Sequence, residues 1–116
     1  MITPLKPSAS HLCIAAMLTI YVTKAQAACS PNACEAPIDQ LMPFADGHVR
    51  VWLDADMSPL DCTLTGDGAT VITASDPGAE NIYSFLLSAS LANRNVFVRI
   101  TNGSNPCSIG YVKFDD

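Results

Sequence analysis

The chain has 116 residues, 49% of them hydrophobic and only 15% charged, with a formal net charge of −5. That length holds one domain, or one domain and a removable leader. The low charge and missing heptad exclude a coiled coil and the apolar content excludes disorder. Six Lys and Arg against eleven Asp and Glu exclude a basic nucleic-acid binder.

Residues 1–27 read as a secretory signal peptide. Lys6 supplies the positive start, residues 12–22 (LCIAAMLTIYV) the apolar run, and Ala25-Gln26-Ala27 the small-x-small cleavage pattern. Eleven apolar residues are too few to cross about 30 Å of hydrocarbon, so no membrane insertion is expected. Cys29 is not expected to carry a lipid, because Gln26-Ala27-Ala28 lacks the Leu of a lipidation box. Removing the leader takes Lys6 and Lys24 with it. Four cations then face eleven acids, a net charge of −7, in a product that is periplasmic or secreted.

Cys13 lies in the leader, and Cys29, Cys34, Cys62 and Cys107 remain. Four Cys in a short exported chain imply two disulfides. Three connectivities are open; the expected one is Cys29 with Cys34 and Cys62 with Cys107. Structural zinc is not expected, since no C-x-x-C occurs and His48 is the only His beyond the leader. No cofactor is implied.

Residues 28–36 (ACSPNACEA) are small and turn-rich and predict an irregular N-terminal arm, followed by one β-barrel-like domain over 37–116. Residues 38–44 predict a first strand, and Asp46-Gly47 a hairpin turn. Residues 48–53 (HVRVWL) alternate most clearly: Val49, Val51 and Leu53 share one face, His48, Arg50 and Trp52 the other. Short strands are predicted at 62–65 and 69–74. Residues 75–80 are expected to open a helix, with Ser75 or Asp76 as its cap and Pro77 in its first turn; residues 81–93 carry Ile82, Phe85, Leu86, Ala89 and Ala92 on one stripe, with Asn93 at the left-handed end. Residues 96–101 and 107–114 predict the last two strands. The class is mainly β with one helix, as a small antiparallel OB-like barrel or sandwich with the amphipathic helix before the last two strands.

The stretches GHVRVWL (47–53), LDC (60–62), NIYSFLLSASLANRNVFVRI (81–100) and CSIGYV (107–112) together resemble small secreted bacterial proteins. They are similar to B subunits of the AB5 toxin family, of the subtilase-cytotoxin kind. The resemblance covers residues 47–112. It implies an OB-fold barrel, a ring-shaped homo-oligomer and binding of cell-surface glycans.

The residues themselves offer few catalytic arrangements. His48 is expected to be a surface-facing strand residue: Ser58, Ser84, Ser88 and Ser90 fall in a turn or on the helix and no G-x-S-x-G occurs. The Cys are expected in bridges and most acids fall in turns, so no enzyme is expected. Asp54 and Asp56 begin like a calcium loop, but Pro59 stands where that loop needs Gly; a polar turn is expected and no metal site. Trp52, Arg50 and Tyr111 are the candidate ligand contacts, since an aromatic beside polar groups can stack on a sugar or anchor a protein. Tyr83, Leu87 and Leu91 widen the helix's apolar surface and are the candidate subunit interface. The expected function is a secreted, non-catalytic binding module for a glycan or a protein surface. The alternative is a monomeric periplasmic interaction or inhibitor protein. Binding to nucleic acid is not expected.

Overall fold

The structure, a computed structural model, describes residues 27–115; the leader expectations over residues 1–26 lie outside them. Among the described residues, six strands and one helix run in the order β1 (Ala28–Cys29), β2 (Ala33–Pro43), β3 (Val49–Leu53), β4 (Thr70–Ile72), α1 (Ala79–Leu91), β5 (Asn95–Ile100) and β6 (Ile109–Phe114). The fold is therefore mainly β with one helix ahead of the last two strands.

All ladders are antiparallel, in the order β4-β3-β2-β5-β6, with β1 added beside β2. The long strand β2 serves two ladders. Its first half pairs with β5, from Ala33 opposite Arg99 to Pro37 opposite Asn95. Its second half pairs with β3, from Ile38 opposite Leu53 to Pro43 opposite Val49. The register shifts between Ile38 and Gln40, leaving exposed Asp39 as the extra residue of a bulge. A bulge of this kind bends a strand and lets it pass from one ladder to the next. β1 then fills the edge that β3 vacates, with Cys29 opposite Cys34.

The expected irregular arm at 28–36 is thus two strands. Its alternation is hidden because the inward residues Cys34 and Ala36 are small, although both are buried on the strand against which α1 packs most extensively. The expected strand at 62–65 is absent. This segment is held by single backbone bonds instead: Thr63 N–H donates to the Ser104 carbonyl (2.9 Å), and Cys107 N–H to the Thr63 carbonyl (2.7 Å). β4 is shorter than expected because residues 73–76 turn away, with the Asp76 carboxylate accepting the Thr73 N–H at 2.9 Å. The short β4 forms no ladder with β6; one isolated parallel bridge joins Val71 to Ser108, just before β6, so the sheet is not closed.

Both expected disulfides are present, Cys29–Cys34 between paired strands and Cys62–Cys107 across a sequence separation of 45. The core collects Val49, Val51 and Leu53 from β3, Val96, Val98 and Ile100 from β5, and Leu86 and Ala89 from α1. The helix is not capped by Ser75 or Asp76, because Asp76 is spent on Thr73. Its N-cap is Gly78, at φ 72°, with no side-chain bond. Its C-terminus ends as the sequence suggests. Asn93 takes φ 54°, Arg94 N–H donates to the Ala89 carbonyl (3.0 Å) and Asn93 N–H to that of Ser90 (3.2 Å), a Schellman arrangement.

Candidate functional site

The outer face of the sheet carries two groups of aromatic and charged side chains, on different strands. The first lies on β3 and its flanking turns. The inward Val49, Val51 and Leu53 leave Arg50 and Trp52 half-buried on the outer face. Both are held by the turn at residues 65–69. Arg50 Nη1 donates to Asp67 Oδ2 at 2.8 Å, and Trp52 Nε1–H donates to the Asp67 carbonyl at 2.9 Å. Thr65 Oγ1 donates to Asp67 Oδ1 and itself accepts the Ala69 N–H at 2.9 Å. Hydrogen bonds from Thr65, then Arg50, hold the Asp67 carboxyl below its ordinary value of 3.8. Arg50 also lies over the Phe44 ring at 5.0 Å, and His48 stacks on the same ring, centroids 4.2 Å apart. His48 is occupied in the hairpin turn: its backbone N–H and Nδ1 both meet Asp46 Oδ1, at 3.1 and 2.5 Å. These bonds, the backbone one foremost, lower the Asp46 pKa.

The polar groups of Arg50 and Trp52 therefore pin a turn to the sheet. Residues 54–61 behave likewise as a polar turn, with Asp56 Oδ1 accepting the Ser58 N–H at 3.0 Å. Among the described residues, no three His, Cys, Asp or Glu side chains gather to hold a metal.

The second group lies on β5 and β6. Val96, Val98 and Ile100 point inward, so Phe97 and Arg99 point outward. β6 sets Lys113 opposite Phe97 and Tyr111 opposite Arg99. The Phe97 and Tyr111 rings stack at 6.0 Å, and Lys113 Nζ lies 4.8 Å from the Phe97 centroid. Tyr111 is 51% exposed, and no hydrogen bond engages its hydroxyl among the described residues. It also lines a groove of about 370 Å³ between α1 and β6, with Ile82 and Phe85 along the far wall.

A polar network continues from this face onto the adjoining loops. Arg99 Nη2 donates to Asn102 Oδ1 (3.2 Å), and Asn102 Nδ2 donates to Asn32 Oδ1 (2.9 Å) and to Asp61 Oδ2 (3.2 Å). Backbone bonds lock the three loops in place: Asp61 N–H to the Pro31 carbonyl (2.8 Å), Gly103 N–H to that of Asp61 (2.7 Å), and Ile100 N–H to that of Asn32 (3.1 Å). Asn32, Asp61 and Asn102 are all exposed.

The three candidate contacts are thus not brought together. Tyr111 lies on β6, separated from Arg50 and Trp52 on β3 by β2 and β5 in the sheet order. Sequence reading missed Asn32, Asp61, Arg99 and Asn102 because they come from three distant segments; only the outward position of Arg99 in VFVRI marked one of them.

The candidate interface residues divide. Tyr83 is half-buried and lines a groove of about 220 Å³ beside Gly47 and Ile72. Leu87 and Leu91 are 39% and 81% exposed. Among the described residues no helix is long and apolar enough to cross a membrane. No protein-family model matches the chain, and neither a curated protein nor a solved structure shows significant similarity to it.

Proposed function

We propose that the protein is an exported, disulfide-braced, non-catalytic binding module whose recognition surface is the outer face of β5 and β6, with a glycan as its ligand. The observation that carries this reading is Tyr111. It is a half-exposed aromatic in a sheet face, stacked on Phe97 and flanked by Arg99 and Lys113. An exposed ring beside polar groups in fixed positions is the arrangement by which protein surfaces hold sugars and partner chains. Two disulfides accord with folding in an oxidising compartment. His48 is committed to Asp46 and Phe44 in a surface turn, which favours a structural role for it over catalysis.

An OB-like barrel is part of the same reading. It is supported by the strand order, by the helix inserted between β4 and β5, and by the Val71–Ser108 parallel contact where such a barrel closes. The AB5-like resemblance adds a homo-oligomer, for which exposed Leu87 and Leu91, one helical turn apart, are the natural contacts.

The test is a glycan array probed with the oxidised protein and its Tyr111→Ala and Trp52→Ala variants. Tyr111→Ala is expected to abolish the signal. Trp52→Ala is expected to reduce stability but leave the same glycans bound at full occupancy of folded protein. Binding that survives Tyr111→Ala refutes the assignment. A monomeric protein-interaction or inhibitor role is the second reading, favoured by the apolar groove beside Tyr111. A stoichiometric protein complex lost in Tyr111→Ala, with an empty array, would establish it.

A further inference from the structure

We infer that the ligand of the β5–β6 face is an uncharged saccharide, gripped through vicinal hydroxyls by Asp61, Asn32 and Arg99, with Asn102 as the residue that positions all three. The inference rests on the binding reading above and specifies its ligand class.

Asn102 sits at the centre of the hydrogen bonds that join these loops. Its donors are fully spent: the two Nδ2 protons go to Asn32 Oδ1 and Asp61 Oδ2, while Oδ1 accepts from Arg99 and keeps one lone pair. Asn102 therefore offers little to a ligand and fixes the orientation of three planar groups around it. Each of these keeps capacity to spare. Asn32 retains both Nδ2 protons, Asp61 retains Oδ1, and Arg99 retains the rest of its guanidinium fork. The exposed cluster thus presents donors and a strong acceptor side by side, already oriented before any ligand arrives.

That mixture selects among ligands. A sugar hydroxyl donates one hydrogen bond while accepting others, so a pair of neighbouring hydroxyls needs an acceptor and donors together. A carboxylate, sulfate or phosphate needs donors alone, and the Asp61 carboxylate would repel it. Charge points the same way. Arg99 and Lys113 on this face are matched by Asp61 and by Glu35, which sits opposite Phe97 on β2. The face has no net positive charge, and the chain beyond the leader carries −7. An anion therefore gains neither local pairing nor long-range attraction. Tyr111, directly across the ladder from Arg99, supplies a ring for the apolar face of a pyranose.

The experiment uses the same oxidised protein on an array carrying neutral glycans and their sialylated, sulfated and uronic-acid counterparts, read at low and at high salt. Expected is binding to a neutral subset whose strength is unchanged by salt, since no ion pair is involved. Asp61→Asn is expected to weaken it about ten- to hundredfold, the loss of a hydrogen bond to a charged acceptor. Asn32→Ala and Asn102→Ala are expected to weaken it too, with thermal unfolding confirming that each variant is folded. Asp61→Asn preserves shape, so the test does not hinge on the truncations. Salt-sensitive binding to acidic glycans, still lost in Tyr111→Ala, overturns the neutral-ligand inference and leaves the binding module standing. Neutral binding that Asp61→Asn leaves untouched overturns the assigned contacts. An array with no signal at all, together with a protein complex on the Tyr111 face, overturns both this inference and the glycan reading.

Discussion

The two disulfides close loops of very different length, and their contributions should differ accordingly. In the chain-entropy view a bridge stabilises by restricting the unfolded chain, more so for a longer loop. With sequence separations of 45 and 5, Cys62–Cys107 is worth about 4 kcal/mol and Cys29–Cys34 about 2 kcal/mol. Replacing each pair with Ala also empties some core volume, but in comparable measure. Each pair places one sulfur in the interior, at Cys107 and Cys34, and one in a half-buried position, at Cys62 and Cys29. The difference between the two double variants therefore isolates loop length. The assay is urea unfolding of the wild type, Cys62→Ala/Cys107→Ala and Cys29→Ala/Cys34→Ala. For a domain this size, with a slope of about 1 kcal/mol/M, the midpoints should drop by about 4 M and 2 M. Against a total stability of roughly 5–10 kcal/mol, the first variant would keep about 1–6 kcal/mol without denaturant. Equal losses, or a larger loss from the short loop, would refute the reasoning. They would mean that β1 does more for the native state than its two residues suggest.

Leu86→Ala removes the largest fully buried side chain and should cost about 2–5 kcal/mol in the same urea assay. Gly47→Ala should destabilise more than a surface change does, because Gly47 sits at φ 96° and a Cβ there would lie 2.9 Å from that of Ala74; differential scanning calorimetry reads the drop in Tm. Asp67, Asp46 and Asp56 have lowered pKa values in the folded state, so their stabilisation is complete above the ordinary value of 3.8 and is lost as pH falls through the lowered values. The single Trp, Trp52, is bonded to the Asp67 backbone and should report this as a fluorescence change below about pH 4, absent in Asp67→Asn.

Alternation made β3 and β5 legible from sequence, because Val and Ile at every second position leave one reading of which face is buried. The helix and its Asn93 terminus were legible for the same reason, an apolar period followed by a residue that tolerates positive φ. The start of β2 was not, since Ala33, Cys34 and Ala36 carry too little apolar mass to show a period even though they line the core. The helix start was not legible, because the Asp76 carboxylate accepts from Thr73 in place of the helix and Gly78 takes the N-cap. The 62–65 segment looked like a strand by residue type, yet a ladder needs consecutive paired residues, and here Thr63 alone bonds across, to Ser104 and Cys107, while Thr65 N–H turns back to Ala69. At the candidate site, Tyr111 was visible as an aromatic on a late strand. Its polar neighbours were not, because Asn32, Asp61 and Asn102 meet only through folding, and no local pattern records a meeting of residues 70 positions apart.

Asn102-Gly103 is also the dipeptide most prone to chemical ageing, in which the following backbone nitrogen attacks the Asn side chain and releases ammonia. Here both reactants are engaged: the Gly103 N–H is bonded to the Asp61 carbonyl and the Asn102 amide to two acceptors. Cyclisation must wait for these bonds to open, so the slow appearance of the deamidated product over weeks of storage becomes a clock for local opening of this corner. Each event would also place a new carboxylate against Asp61, so aged samples should lose the order of the three loops before they lose the sheet.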